Sequence, residues 1–547
     1  KSKEFPYWDP LLITSGTYKY VEYIPEEKRN IIDVWGSVWS MGVQKWDLLY
    51  YDEGLSTVVT VAGDRYSDNI WLANNGKVDA STILDLPTQI LVGHIPFVFH
   101  PRAEDVLVIG LASGITAGSV TTHCAPDSSG ECQVGSVGLE IVEIEPTIER
   151  ASHFFDEVNN RPLDDPRVTF FTEDGRNHIL RQPDGRYDII VSEPPNPWLS
   201  GVANLFTREF FALGKSKLAE GGVWTQWVQM YGMSPYDLRS LLRTFAESYD
   251  YVLLFSTIED SDLVMVGSDS PLNLSTDAVQ EMMDLDAAVL DDLTRIQIPE
   301  AEDLIVRYAM DRGEILRVVG DAEYNTDDNM RIEYSAPRNL YRDTVSDNYD
   351  MLLSERIATE YVPTDLVTDL DGRVHLVGSM IRHGRSLDDG VRVLDIIRED
   401  IASTDAGSSN LLWRARETSL RKIILAIQSD QLTWSSTETD GYRVSLKDEF
   451  EVLRDLKLEM SIIEGMQYWS CWHQYIGYGE NQAHDADLAE HYLSLMDSAL
   501  DKIISSKSDF PGDQRQRERA VLLAEAVEGE QAFRLTEVGQ TPLCSDF

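Results

Sequence analysis

Two glycines, Gly110 and Gly114, stand in the segment VLVIGLASGITAG, where an apolar run of strand character meets a helical pattern. Glycines at such a turn let the backbone approach a ligand closely, and the N-terminus of the following helix offers unpaired N–H groups. Tight turns of this kind also occur without a ligand. The glycines therefore indicate a binding loop only in combination with polar residues at the same sheet edge.

Acidic residues follow two further apolar runs. The run IVEIE ends in Glu143 and Glu145, and a carboxylate at this position can accept both hydroxyls of a ribose. Its separation from Gly110 exceeds the roughly 20 residues of the usual fingerprint, and an intervening polar loop accounts for the excess. Asp174 and Gly175 follow the next run, VTFFTE, where an acid can reach the amino group of an adenine. Three such features in order favour a nucleoside-type cofactor over a purely structural sheet.

Glu193 ends a fourth run, YDIIVSEPPNPW, beside a rigid proline-rich loop. The carboxyl ends of the strands are where open sheets bind ligands, and there Glu193 can take a proton from an attacking amine or stabilise its charge. The alternative is that Glu193 only orders the loop. Trp198, in the same loop, either forms a wall of the site or packs in the core.

The elements that must position these residues change in character along the chain. Residues 1–100 alternate apolar and polar positions between turns at Asp52-Glu53-Gly54 and Asn74-Asn75-Gly76, which predicts a small antiparallel β-hairpin domain. Residues 101–350 alternate buried strands with helices, which predicts a doubly wound, Rossmann-like parallel sheet. The predicted fold class is therefore α/β with a helical C-terminal region at residues 351–547.

The helical pattern of that last region is one of apolar stripes, with Leu453, Leu456, Met460 and Ile463 on one and Leu493, Met496, Leu500 and Ile503 on another. An aromatic patch over residues 468–478 is interpreted as packing between helices rather than as a ligand cage. Two stacked helix pairs resemble a repeat, but no clean 34-residue period is present.

Ten stretches carry a resemblance to a known family: YYDEG, LANNGKVDAS, VLVIGLASGITAG, VEIEP, DDPRV, EDGRN, YDIIVSEPPNPW, GVANLFTREFF, LAEGGVWTQW and NTDDNMRIEY. They occur in this order between about Trp8 and Arg338, and they resemble the spermidine synthase-like proteins, in particular the branch fused to membrane-spanning segments. The resemblance implies a small β-domain followed by a class I methyltransferase-like Rossmann domain. It also implies a cofactor that is S-adenosylmethionine or its decarboxylated form.

The resemblance also implies roles for individual residues. Glu193 takes the catalytic position, and the cofactor is expected to contact Gly110, Ser113, Gly114, Glu143, Asp174 and Gly175. The substrate side is expected to include Asp79, Gln89, Asn196 and Trp198.

Several positions depart from the family pattern. Aminopropyltransferases of this family carry Asp where Glu193 stands, and a second, amine-binding Asp where this chain has Asn196. Where the family has a Gln after an LDG turn, this chain has Asp79. Where the family has a Tyr-His-Glu segment that binds the polyamine, this chain has Thr88-Gln89-Ile90. The acid of their GGGDGG loop, which recognises a free aminopropyl ammonium, is Ser113. An Asp repels the carboxylate of intact S-adenosylmethionine, whereas a Ser tolerates it, so the departures argue against spermidine synthesis itself.

The net charge of the chain argues against two classes of binding partner. The chain of 547 residues carries 47 Lys and Arg against 93 Asp and Glu, for a formal net charge of −46. Such a surface repels phosphate backbones and anionic lipid, so we expect no nucleic acid and no membrane-surface partner. No stretch approaches about 18 uninterrupted apolar residues, which predicts no transmembrane helix in this chain. The expected location is the cytoplasm, with attachment through an upstream segment or a membrane-embedded partner as the alternative.

Cys124 and Cys132 bracket a polar loop and would form a bridge in an oxidising compartment, which would indicate an extracytoplasmic location. Zinc is the weaker interpretation, because His123 and these two cysteines supply only three ligands. We therefore predict no metal.

Two functional hypotheses follow. The leading one is a transferase that moves a methyl or an aminopropyl-type group from a sulfonium nucleoside to an amine-like acceptor, as a monomer or a homo-oligomer. The other is a catalytically retired domain that serves as a scaffold in a larger assembly. The scaffold hypothesis requires the nucleoside site to be filled by side chains or covered by residues 121–136.

Overall fold

The computed structural model describes residues 46–126, 132–133, 137–199, 201–258, 261–339, 344–358, 370–383 and 387–403, and single positions at 342, 366–367 and 421. The chain divides into two compact units, Lys1–Tyr361 and Val362–Phe547. The residues predicted to do chemistry all lie in the first unit.

A four-stranded antiparallel sheet opens the described part of the first unit. Its strands, in spatial order, are β1 (Trp46–Glu53), β2 (Val58–Asp64), β3 (Ile70–Asn74) and β4 (Lys77–Ser81). Asn75 and Gly76 between β3 and β4 both have positive φ, 50° and 80°, as a tight two-residue hairpin turn requires. Both predicted hairpins are present.

An eight-stranded sheet forms the centre of this unit. Its strands are β5 Asp105–Ile109, β8 Gly138–Glu143, β9 Val168–Thr172, β10 Tyr187–Ser192, β11 Leu218–Gln229, β12 Tyr251–Ile258, β13 Asp262–Ser268 and β14 Tyr308–Asp311. Their spatial order is β14-β12-β13-β11-β10-β5-β8-β9. Strands β9, β8, β5, β10 and β11 are parallel, and the pairings of β11 with β13, of β13 with β12 and of β12 with β14 are antiparallel. The sheet is therefore mixed, with the predicted parallel strands on one side. A separate two-stranded ribbon pairs β6 (Ala125–Pro126) with β7 (Cys132–Gln133).

The α-helices described in this unit connect its strands or follow the last of them, and they pack on the sheet or on one another. They are α1 Leu86–Phe99, α2 Ile115–Thr121, α3 Pro146–Ser152, α4 Gly175–Arg181, α5 Arg208–Lys217, α6 Pro235–Ala246, α7 Thr276–Asp284, α8 Ala287–Thr294, α9 Ala301–Ile305, α10 Arg312–Val319, α11 Arg331–Ser335 and α12 Val345–Ala358. Helix α1 is buried from Thr88 to Val98, because it is apolar on nearly every side. It carries Gln89 toward α2 and the glycine turn and Thr88 toward Asp262.

In the second unit the structure describes α13 (Leu370–Arg382) and α14 (Leu387–Ser403). They pack through buried apolar side chains, among them Leu376, Met380, Leu394 and Ile397. The predicted stripes from Leu453 and Leu493 and the aromatic patch at 468–478 lie outside the described residues. Among the helices that the structure describes, none is long and apolar enough to cross a bilayer.

Candidate active site

The glycine turn between β5 and α2 lies directly against the end of β10. Gly110, Ala112 and Gly114 have φ of +96°, +44° and +81°. A Cβ on Gly110 would lie 2.7 Å from the carbonyl oxygen of Glu193, and the Glu193 N–H donates to the Ile109 carbonyl over 3.1 Å. The turn predicted to bind a cofactor and the predicted catalytic residue are therefore neighbours.

Gly110→Ala is expected to destabilise the protein by about 1–3 kcal/mol, because it combines a positive φ with a backbone clash. Gly185→Ala is the matched control, since Gly185 also has a positive φ, +70°, but open space around it. Urea unfolding of both variants checks this. Equal losses in the two would show that the approach of Gly110 to Glu193 has no energetic consequence.

Glu143, at the end of β8, faces the same turn. Its carboxylate accepts the Leu111 N–H over 3.0 Å and the Glu145 N–H over 2.9 Å. Burial raises the pKa of Glu143, and these backbone donors oppose that rise. The Ile144 N–H is a third backbone donor to this carboxylate. A carboxylate has about four acceptor positions, so about one remains for a further donor.

Glu145 has a structural role that was not predicted from the sequence. It is 2% exposed and caps α3, accepting the Thr147 N–H over 3.3 Å. Its other oxygen accepts the Ser56 N–H over 3.1 Å, in the β1–β2 turn. Glu145 therefore ties the N-terminal sheet to the central sheet.

Glu145→Gln is expected to destabilise the protein by about 1–3 kcal/mol, because an amide N–H₂ would face the backbone donor of Ser56 or Thr147. Glu149→Gln, an exposed position in the same helix, should stay within about 0.5 kcal/mol of the parent. Thermal unfolding at pH 7 measures both. A loss in Glu145→Gln no greater than in the control would contradict the anchoring role.

Asp174 and Gly175 lie at the end of β9, where α4 begins. The Asp174 carboxylate caps α4 by accepting the Asn177 N–H over 2.7 Å. A Cβ on Gly175 would lie 2.7 Å from Cγ2 of Ile109, so α4 packs closely on β5. The structure thus gives both residues a local packing role in addition to the predicted contact with an adenine.

Glu193 is held by a helix rather than by its own loop. Thr116, in the first turn of α2, donates its hydroxyl to Oε2 of Glu193 over 2.5 Å. Burial raises the pKa of Glu193 to about 8, and the nearby carboxyls of Asp262 and Asp85 add to the rise. Glu193 is therefore largely protonated at neutral pH when no ligand is present.

Ser113, Gln89 and Thr116 form a connected set beside Glu193. Ser113 is 1% exposed and donates its hydroxyl to Oε1 of Gln89. The Thr116 hydroxyl also lies 2.9 Å from the backbone carbonyl of Gln89, and its one proton is donated to either this carbonyl or Glu193. Thr116 was not singled out from the sequence, although its place in the first turn after the glycine loop is the signal that would have found it.

Asn196 and Trp198, two of the predicted acceptor-side residues, lie against Tyr231, whereas Gln89 lies beside Ser113. Asn196, fully buried, approaches the Tyr231 hydroxyl with its Nδ2 at 3.5 Å, and the Trp198 ring meets the Tyr231 ring edge-on at 6.0 Å. Lys77 lies 5.8 Å from the Tyr231 ring centroid and forms a buried ion pair with Asp79 at 2.8 Å. Burial raises the pKa of Tyr231 to about 12. Asp79 therefore already holds a cation of the chain itself.

Two further acids, Asp262 and Asp85, lie near Glu193 and were not predicted from the sequence. Asp262 is 5% exposed at the start of β13, and burial raises its pKa to about 7, with the nearby Asp85 adding to the rise. Burial also raises the pKa of Asp85, the residue before α1. No local pattern marks Asp262, because only the antiparallel pairing of β13 with β11 returns it to this edge of the sheet.

The cysteine loop is described only in part. Cys124 is buried and disulfide-bonded, but the side chain of Cys132 lies outside the described residues. The 124–132 bridge, the location that depends on it and the covering of the site by residues 121–136 therefore stay predictions. His123, the third proposed zinc ligand, hydrogen-bonds His94 over 2.8 Å and stacks on Phe97.

Residues 87–257 match the family model of the spermine/spermidine synthase domain, which confirms the resemblance over this segment. A polyamine aminopropyltransferase of Clostridium perfringens is 30% identical over 134 residues, 24% of this chain and 43% of the relative. One of Streptococcus uberis is 29% identical over 187 residues, 33% and 60% of the two chains. The chain spans about half the length of these curated relatives.

Among solved structures, a spermidine synthase in complex with the transition state analogue AdoDATO aligns at 17% identity with a TM-score of 0.34, covering 43% of this chain and 75% of that chain. A probable spermidine synthase from Corynebacterium glutamicum aligns at 16% identity with a TM-score of 0.36, covering 51% and 96%.

Proposed function

The chain carries a spermidine synthase-like segment, and we propose that it is a transferase that moves an alkyl group from a sulfonium nucleoside to an amine acceptor. One observation carries the proposal: a buried carboxyl, Glu193, stands at the end of β10 against the glycine turn. Structural loops seldom bury an acid without a cationic partner, since burial of an unpaired charge is costly. The acid has a clear use if a cation or a proton donor binds beside it.

The residues at the sheet edge fit the proposed cofactor, S-adenosylmethionine or its decarboxylated form. Glu143 retains about one acceptor position for a ribose hydroxyl, and Gly110 and Gly114 keep side chains away from the turn. Asp174 would take the adenine side. When bound, the cofactor supplies a carbon attached to a positively charged sulfur that leaves without needing a proton.

The chain's own contribution is to align the acceptor and manage its proton. Glu193, held by Thr116, would accept the proton that the amine loses as it attacks. A nearby cation favours the ionised carboxylate and lowers its pKa, so binding of the sulfonium would prepare Glu193 for this role. Alignment of two reactants supplies much of the rate advantage in displacements of this kind.

Calorimetric titration of the full chain with S-adenosylmethionine and, separately, with the decarboxylated form tests the proposal. Tight binding of the intact form alone supports methyl or carboxyl-bearing transfer. Preference for the decarboxylated form supports aminopropyl transfer, the reaction named for the relatives. Binding of neither form rejects the transferase and favours the scaffold.

A further inference from the structure

We propose that Asp262 binds the ammonium of the amine acceptor and so sets the charge preference of the site. This inference rests on the proposed transferase function and deepens it by assigning a residue to the acceptor side. The argument concerns the acid cluster, defined as Asp85, Glu193 and Asp262.

Asp262 lies at the reactive edge of the central sheet. It is the first residue of β13 and pairs with Gln229, the last residue of β11. Strand β11 is the neighbour of β10, after which Glu193 stands. Two strand spacings, roughly 10 Å, therefore separate the strands that carry Asp262 and Glu193.

The hydrogen bonds of Asp262 are incomplete. Its Oδ2 accepts the hydroxyl of Thr88 over 3.0 Å, and the side chain of Trp227 also interacts with the carboxylate and lowers its pKa. Oδ1 itself is buried with no hydrogen-bond partner among the described residues. Gln229, its partner across the strands, is fully buried, and both polar atoms of its side chain likewise have no partner there. Buried polar atoms are nearly always paired, so these atoms point to a ligand that supplies donors.

The acidic residues near Asp262 favour a cationic ligand. The ammonium of Lys77 is paired with Asp79 at 2.8 Å. Asp262 and Asp85 raise the pKa of Glu193, and Asp85 raises the pKa of Asp262, in each case in addition to burial. The cation that opposes these effects at Asp85 and Asp262 is Lys77, which is already paired with Asp79. A bound ammonium donates three N–H groups and relieves the repulsion among the acids.

Asp262 also addresses a difficulty raised by the sequence. Asn196 stands where the resembling family carries an amine-binding acid, and its Oδ1 is buried without a partner in the described structure. An amide oxygen accepts a hydrogen bond but carries no charge. Asp262 supplies the negative charge from another strand, so the site retains a preference for a cationic acceptor.

The test is calorimetric titration of the full chain with 1,4-diaminobutane at pH 8.5, above the pKa values of about 8 and about 7 of Glu193 and Asp262. The wild type is expected to bind the diamine and not the neutral 1,4-butanediol. Asp262→Asn should weaken diamine binding by about tenfold or more, and Asp262→Glu should recover most of it. The matched control is Asp269→Asn, an exposed acid just after the other end of β13, and it should leave the affinity within about twofold.

Titration with the sulfonium nucleoside shows that each variant is folded and separates the two proposals. Diamine affinity unchanged in Asp262→Asn, with nucleoside binding intact, overturns the role of Asp262 and leaves the transferase standing. Absence of diamine binding to a wild type that binds the nucleoside also overturns it. Failure of the wild type to bind the nucleoside rejects the proposed function itself.

Discussion

Glu193→Gln is expected to lower the rate of alkyl transfer by about 10²–10⁴-fold, the usual contribution of a positioned general base. The amide keeps the shape of the side chain and an acceptor for the Thr116 hydroxyl, so affinity for the nucleoside should stay within a few fold. Single-turnover rates and nucleoside titration measure the two quantities. A variant that transfers at the wild-type rate would show that alignment alone supports the reaction.

The same substitution should stabilise the ligand-free protein, in a way that depends on pH. The pKa of Glu193 is about 8 in the folded chain and about 4.3 in an unfolded one. Between these values the unfolded state releases a proton that the folded state retains, so stability falls as the pH rises. Glu193→Gln removes that loss.

The melting temperature of Glu193→Gln should therefore exceed that of the wild type at pH 8, by an amount equivalent to roughly 2–4 kcal/mol, and match it near pH 4.5. Glu220→Gln, an exposed position on the neighbouring strand β11, should change neither value. An equal gain at both pH values would assign the effect to packing and not to the ionisation of Glu193.

The rate of transfer is expected to rise with pH, whereas the stability of the ligand-free protein falls. Transfer needs the carboxylate of Glu193, which is present only as the pH rises toward 8 in the ligand-free protein. Stability and activity thus make conflicting demands on one buried acid, a conflict common at active sites. A structural acid would show the stability effect without the kinetic one.

Local features were predictable from the sequence. The hairpin at Asn75-Gly76, the strand before Gly110 and the acids at the ends of β8, β9 and β10 all depend on short-range patterns of apolar and turn residues. The roles of Glu145 and Asp262 were not predictable, because each depends on a partner far along the chain. Ser56 lies 89 residues from Glu145, and Thr88 lies 174 residues from Asp262.

The antiparallel strands of the central sheet explain in part why the role of Asp262 could not be predicted from the sequence. Strands β12, β13 and β14 were not predicted, and they extend the parallel sheet beyond β11. Their pairing returns Asp262 to the edge where Glu193 stands, although no motif links the two residues. A local sequence pattern identifies residues that lie close together in one turn. The edge of a sheet also contains residues from strands that are far apart in the sequence.

Ser113→Asp is expected to shift the preference between the two cofactor forms by about 10–100-fold toward the decarboxylated one. A carboxylate at this position would pair with the lone ammonium of that form, and a charged hydrogen bond contributes about 1.5–3 kcal/mol. The same carboxylate would repel the carboxylate of intact S-adenosylmethionine. The ratio of the two dissociation constants, measured by calorimetry, reports the shift directly.

The surroundings of Ser113 make this substitution informative. The side chain is buried and its hydroxyl donates to Gln89, and Gln89 can instead present its N–H₂ group to an aspartate. Ser113→Asn, which has the shape of aspartate without its charge, should leave the ratio within about threefold. If aspartate and asparagine change the ratio alike, the charge at position 113 does not select the cofactor, and the distinction between methyl and aminopropyl transfer must lie on the acceptor side with Asn196 and Asp262.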